Sequence, residues 1–289
     1  MRVRSVILGR RSVTATGAVV TDMDISSRLT AADHTAVALR AIADRHEVTL
    51  VDDACHGIGG SYGGIKVGSC SHADVSILSF HPVKHITTAE GGMITTNDPA
   101  LAERLRLLRS HGMTVSSWDR DKGRPAYYDV VALGYNFRFD DIRAALGLAQ
   151  LAKLQQFNQK RAELVQRYNE RFTEADLGLM LPFASVHQSK QPSYHIYPVV
   201  FRDTGERAIA EILKGEGIQT SVHYPPIHKF SAFASLRQAC HLPVTEAFAS
   251  RELTLPLYPS LSLEQVDQIA ETVIPLLAGG CLKTTADRH

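Results

Sequence analysis

The stretch SFHPVKHITTAEGGMITTND, residues 79–98, sets one lysine, Lys84, in a loop between two strand-like segments. ADVSILSF (73–80) leads into it, and a glycine pair followed by MITT leaves it. A lysine that only solvates a surface needs no such frame. Working outward, strand and helix signals alternate. AVVTDMD (18–24) reads as a strand. HTAVALRAIADRH (34–46) reads as a helix with Val37, Leu39, Ala41, Ile42 and Ala43 on one broad face. EVTLVDDA (47–54) is a short buried strand. The glycines of CHGIGGSYGGIKVGS (55–69) argue against any regular element there. ADVSILSF is a second buried strand and GGMITTN (91–97) a third. Asn97-Asp98-Pro99 offers an N-cap with proline in the first turn, and ALAERLRLLRSHG continues as a helix closed by Gly112.

This alternation predicts a layered α/β domain with a central, mostly parallel sheet. TVSSWDRDKGRPAYYDVVALG (114–134) is a long polar loop of the kind that often carries function. Asp140-Asp141 opens one long helical stretch running to Phe172, which bridges to a smaller C-terminal α/β domain. The expected division is 1–150 for a large domain and 151–289 for the bridging helix and small domain. In the latter, YHIYPVVF (194–201) reads as a strand. GERAIAEILKGEG (205–217) and SLEQVDQIAETVIPLLAGG (262–280) read as helices, the last ended by Gly279. CLKTTADRH at the C-terminus is expected to fray.

Composition narrows the function classes. The 289 residues are 44% hydrophobic and 21% charged, with a formal net charge of +1 and no long run of one sign. Nucleic acid and anionic membrane surfaces are therefore poor partners. No apolar run reaches the roughly 20 residues that span a bilayer. The apolar run VIL in MRVRSVILGRRSVTATG is too short for a secretory signal, so a cytoplasmic protein is expected. The four cysteines (55, 70, 240 and 281) form no CxxC pair, which fits reduced thiols. HYPPIH, with His223 and His228, faintly resembles a ligand pair. Its two prolines argue for an extended loop, it lacks a third ligand, and no metal is expected.

Two strand ends supply a more specific constellation. VDDACH gives Asp53 and His56, and SFHPVK gives Ser79, His81 and Lys84. In such sheets ligands sit beyond the carboxyl ends of the strands. An acid, a hydroxyl and a lysine there are what a pyridoxal 5'-phosphate site needs. The amine condenses with the cofactor aldehyde, the carboxylate keeps the ring nitrogen protonated, and the hydroxyl donates to the phosphate. Singly, each has a plainer reading: Asp53 as a turn cap, Ser79 as a loop hydroxyl, Lys84 as a solvated lysine.

VDDACHGIGGSYGGIKVGS, SFHPVKHITTAEGGMITTND and LGYNFRFDDIRAALGLAQL resemble the successive signatures of the DegT/DnrJ/EryC1/StrS sugar aminotransferases. YHIYPVVF, SVHYPPIH and LPVTEAFASRELTLPLYPSLSLEQVDQI follow in the order of that family. The resemblance runs from about residue 15 onward and is nearest to the branch serving pseudaminic acid synthesis. It implies the fold type I, aspartate aminotransferase-like architecture and transfer of an amino group, from glutamate, to C4 of a nucleotide-linked 4-keto-6-deoxy sugar such as UDP-4-keto-6-deoxy-N-acetylhexosamine. It matches Lys84 to the cofactor-bearing lysine, Asp53 to the partner of the ring nitrogen, His56 to a residue beside the ring, and Ser79 to a phosphate ligand. Asn136 matches the asparagine that reaches the phosphate from a neighbouring subunit, which implies a homodimer with shared sites. His223, Tyr224 and the 113–128 loop are candidate substrate contacts. Family members carry a further N-terminal segment with a phosphate-binding turn and a ring-stacking residue. Neither is visible in MRVRSVILGRRSVTATGAVV, so a truncated chain is expected, with a catalytically impaired binding or assembly subunit as the alternative.

Overall fold

A computed structural model describes residues 5–7, 18–21, 35–115, 127–177, 179, 181–184, 190–201, 206–234 and 242–278. The terminal CLKTTADRH, Gly279, Asp22–Asp24 and the centre of the 113–128 loop lie outside these residues. The chain forms two compact units. The first draws mainly on residues 32–155 and recruits 188–192, and the second mainly on 156–187 and 193–289.

Among the described residues the first unit holds a five-stranded sheet in the order β1-β2-β3-β6-β7. Its strands are β1 (Ser5–Ile7), β2 (Ala18–Thr21), β3 (Thr49–Asp53), β6 (Val75–Ser79) and β7 (Gly92–Thr95). β1, β2, β3 and β6 run parallel, and β7 is antiparallel to β6. The register pairs Asp52 with Ser76 and Asp53 with Ile77. Because paired residues share a face and side chains alternate, Asp53, Ile77 and Ser79 lie on one face. Leu50, Asp52, Ser76 and Leu78 lie on the other. The second face is the packed one: Leu50, Ser76 and Leu78 are buried, whereas Asp53, Ile77 and Ser79 are half-buried.

Helix α1 (Thr35–Arg45) packs on the closed face through a stripe narrower than expected. Ala36 and Ala43 are buried and Leu39 is half-buried, with Ala43 and Leu39 packing with Leu50, Val48 and Ala73. Val37 and Ile42 are 46% and 42% exposed. At about 100° per residue they rotate off the Ala36–Leu39–Ala43 line. The glycine-rich 55–69 stretch is also not structureless. Ser61–Tyr62 (β4) and Ile65–Lys66 (β5) form a hairpin, and Lys190–Gln191 (β8) adds to β4. Gly63 and Gly64 both have positive φ, 55° and 79°. That is the requirement of a tight two-residue hairpin turn, so here the glycines make the element rather than prevent it.

Helix α2 (Pro99–Leu108) starts as expected. Asp98 accepts hydrogen bonds from Ala100 N and Leu101 N, and Pro99 opens the first turn. Beyond its end Gly112 has φ 72°, and a Cβ there would lie 1.9 Å from the Ala132 carbonyl oxygen. The closeness lets the 130–137 segment bond along the end of α2: Tyr135 N to Leu108 O at 2.7 Å and Phe137 N to Arg109 O at 2.9 Å. The long helix expected from Asp141 to Phe172 is two helices, α3 (Asp141–Leu151) and α4 (Leu154–Glu174). The break separates two environments. α3 buries no residue, while Leu154 packs against Ala54, Leu78, Phe80 and Ile86.

In the second unit, antiparallel β9 (Tyr197–Val200) and β10 (Glu252–Leu255) are buried along their whole length. Around them pack α4, α5 (Glu206–Gly215) and α7 (Leu263–Leu277, which follows the short α6, Pro243–Ala249, and β10 in the chain), through Leu164, Tyr168, Phe172, Leu213, Val266 and Val273. Tyr168 stacks on Tyr197 with centroids 4.6 Å apart. Arg161 of α4 is buried and donates to the carbonyls of Tyr194, His195 and Leu257.

Candidate active site

The carboxyl ends of β3 and β6 bring four of the expected residues to one region. Asp53 is the last residue of β3, and its Oδ1 accepts from Cys55 N at 3.2 Å. Buried His56 follows three residues on. Ser79 ends β6 on the same sheet face as Asp53, with its Oγ 3.4 Å from His81 N. Across from Ser79 stands Gly92, which has no side chain to crowd the hydroxyl. Asp52, one residue before Asp53, points to the opposite face and accepts from Ser76 Oγ at 2.7 Å. Strand parity thus separates two adjacent acids that composition cannot separate.

The lysine loop is held at both ends. Phe80 N donates to Gly91 O at 2.9 Å, and Thr88 N donates back to Phe80 O at 3.0 Å. Thr87 Oγ1 adds a bond to Phe80 O at 3.2 Å, and Thr88 Oγ1 bonds Glu90 O at 2.9 Å. Inside this closure His85, Ile86 and Thr88 are buried, whereas Val83 is exposed. Lys84 sits half-buried between Val83 and His85, its N–H turning onto His81 O at 2.9 Å. A Cβ on Gly91 would come within 2.5 Å of the Phe139 ring. Only glycine lets that ring against the loop base, where Phe139 also meets Phe80 edge-on at 6.5 Å.

Asn136 lies three residues before Phe139, exposed, with its backbone bridged to Ser110. His223 and Tyr224 belong to the second unit. The HYPPIH stretch is not wholly extended, since Ile227–Lys229 forms a 3₁₀ turn. Its two histidines have separate partners: His223 Nδ1 contacts Thr254 Oγ1 at 2.8 Å, and His228 Nε2 contacts Glu246 at 2.9 Å. Among the described residues no cluster of three His, Cys, Asp or Glu could hold a metal ion. Sequence reading missed Thr88 and Phe139, which brace the lysine loop. The aromatic alternation Tyr135, Phe137, Phe139 was the available signal. It also missed Glu252, fully buried and accepting from His223 N at 2.8 Å.

A largely parallel sheet with an acid and a hydroxyl on one face of its strand ends, and a lysine in the closed loop that follows, is the layout of an α/β fold that takes its ligand beyond those ends. Residues 33–274 match the DegT/DnrJ/EryC1/StrS aminotransferase family, and the chain belongs to it. It is 34% identical over 240 residues to a UDP-4-amino-4,6-dideoxy-N-acetyl-beta-L-altrosamine transaminase of Campylobacter jejuni, covering 82% of this chain and 60% of the relative. The chain thus spans less than two thirds of that relative. The structure of Helicobacter pylori PseC, an aminotransferase of pseudoaminic acid biosynthesis, superposes with a TM-score of 0.77 at 30% identity, covering 94% of this chain and 69% of that one. The PLP-form of the sugar aminotransferase Spr1654 of Streptococcus pneumoniae gives 0.75 at 27% identity, covering 91% and 69%. The fold is that of the fold type I aminotransferases.

Proposed function

We propose that this chain carries the catalytic residues of a pyridoxal 5'-phosphate-dependent aminotransferase. The substrates are glutamate as amino donor and a nucleotide-linked 4-keto-6-deoxy sugar, UDP-4-keto-6-deoxy-N-acetylhexosamine by likeness to the Campylobacter relative. The observation that carries this reading is the shared sheet face of Asp53 and Ser79, with Lys84 in the closed loop that follows. The donor set fits the cofactor. A carboxylate suits a protonated ring nitrogen, a hydroxyl suits a phosphate ester and an amine suits an aldehyde. Bound there, the cofactor supplies an electron-accepting ring that carries the amino group between the two substrates.

In this reading Asp53, half-buried and sharing its Oδ1 with Cys55 N, holds the proton on the ring nitrogen through charge. Ser79 donates to the phosphate, beside the space that Gly92 leaves. His56 packs beside the ring. The Lys84 amine would take and return the proton at the substrate carbon, with its fixed loop setting the reach of that transfer. Asn136 completes the phosphate site of a second copy. The exposed apolar residues around it, among them Leu133, Tyr135, Phe137, Ile142 and Leu148, support a homodimer with shared sites. His223 and Tyr224 are proposed to contact the sugar. No helix among the described residues is long and apolar enough to cross a membrane. Reduced thiols at Cys55 and Cys70 accord with the cytoplasmic location we propose.

Borohydride treatment of the protein with pyridoxal phosphate tests the assignment. The cofactor should be fixed on the peptide containing Lys84, as read by mass spectrometry. Labelling spread evenly over surface lysines would remove the site.

A further inference from the structure

Fully buried Glu252 opens a chain of hydrogen bonds that ends on His223. One carboxylate oxygen, Oε2, accepts from the His223 backbone N–H at 2.8 Å, and Oε1 accepts from the Thr254 hydroxyl. Thr254 Oγ1 in turn lies 2.8 Å from His223 Nδ1. Glu252 and Thr254 stand two residues apart on β10 and so share a face. Reciprocal backbone bonds between Ser221 and Thr254, at 3.1 and 2.7 Å, hold the histidine segment in place. Ser221 Oγ, 3.5 Å from the same ring nitrogen, is too distant to compete with Thr254.

The polarity of this chain follows from its first member. An ionised carboxylate only accepts, and a hydroxyl has one proton to give. Thr254 spends that proton on Glu252, so toward Nδ1 it can only accept, and Nδ1 must carry a hydrogen. A neutral imidazole protonated at Nδ1 has its lone pair on Nε2. We propose that Glu252 and Thr254 are positioning residues that fix His223 as the Nδ1–H tautomer, so that Nε2 accepts from a hydroxyl of the bound sugar. The sugar contact rests on the reading of the chain as a nucleotide-sugar transaminase, whereas the tautomer does not.

Long-range proton–nitrogen correlation spectra of the full chain, labelled with nitrogen-15 histidine, test the tautomer. The spectra are taken at about pH 9, above the ordinary imidazole and carboxyl ranges, since burial pushes the Glu252 carboxyl up. The His223 signals are identified by their loss in His223→Asn. Nδ1 should give the protonated signature and Nε2 the unprotonated one. Thr254→Ser should keep this pattern, and Thr254→Val should lose it. Glu252→Gln, whose amide can donate to Thr254, should reverse it. An Nε2–H ring in the parent protein, or an Nδ1–H ring that persists in Thr254→Val, overturns the proposal even if Glu252→Gln fails to fold. For the sugar contact, calorimetry compares UDP with UDP-N-acetylglucosamine. Thr254→Val should weaken the sugar nucleotide about tenfold, the worth of one hydrogen bond, and leave UDP unchanged. Equal weakening of both, or of neither, rejects the hydroxyl contact. A parent chain that binds no nucleotide sugar rejects it together with the functional reading, while the spectra still decide the tautomer.

Discussion

At the scale of single residues, Asp52 and Asp53 illustrate how position on a pleated strand assigns chemistry. Asp52 shares the packed face with Ser76 and bonds its hydroxyl, whereas Asp53 shares the open face with Ser79. Asp53→Asn should therefore slow single-turnover transamination on the order of 10²-fold, because a neutral amide cannot hold the ring proton by charge. Asp52→Asn should leave that rate within about twofold while altering thermal stability, since it perturbs only the packed side. Rapid-mixing absorbance on both variants measures the contrast, and equal rate losses would put the ring beside Asp52. Lys84→Ala should abolish both cofactor fixation and turnover. Its cost in stability should stay below about 1 kcal/mol, because the bonds closing the loop belong to Phe80, Thr87, Thr88 and Gly91. A melting curve beside an activity assay checks both halves.

At the scale of elements, the second unit offers a test of helix-to-helix electrostatics. Arg167 of α4 grips Asp267 of α7 through two bonds, Nε–Oδ1 at 2.7 Å and Nη2–Oδ2 at 2.9 Å. The Arg167 bonds, aided by the charge of Arg171, hold the Asp267 carboxyl below the usual aspartate range. The stabilisation of a depressed acid is complete above the unfolded value, about 3.9, and is lost as the pH falls through the folded one. Asp267→Asn should thus cost about 0.5–1 kcal/mol near neutrality, a modest figure because the pair is partly exposed. The deficit should shrink steadily below about pH 4. Denaturation curves across that range would contradict the assignment if the gap stayed constant. The elements were largely legible because local rules governed them: the Asp98-Pro99 cap and the apolar runs in strands. Three features were not. The Gly63-Gly64 hairpin reads as loop until a partner strand pairs with it. The break between α3 and α4 answers to the packing of Leu154, which no local signal announces. The separation of Asp52 from Asp53 depends on register with β6, a property of two strands rather than one.

At the scale of the whole molecule, the proposed shared site makes a prediction that no single variant can. If Lys84 of one copy works with Asn136 of another, Lys84→Ala and Asn136→Ala proteins should each be impaired. Unfolded and refolded together, they should regain activity at about a quarter of the sites, because half of the random dimers are mixed and each has one native site. Activity no greater than the sum of the separate proteins would mean that each copy works alone. The exposure of α3 and of the 130–137 segment before it, with Leu133 at 97% and Ile142 at 85%, has a further consequence under the same reading. Mass action then governs catalysis: output per molecule falls on dilution below the dissociation constant of the pair and climbs with expression level. The cell could thus set the flux through the reaction by abundance alone, with a threshold rather than in proportion.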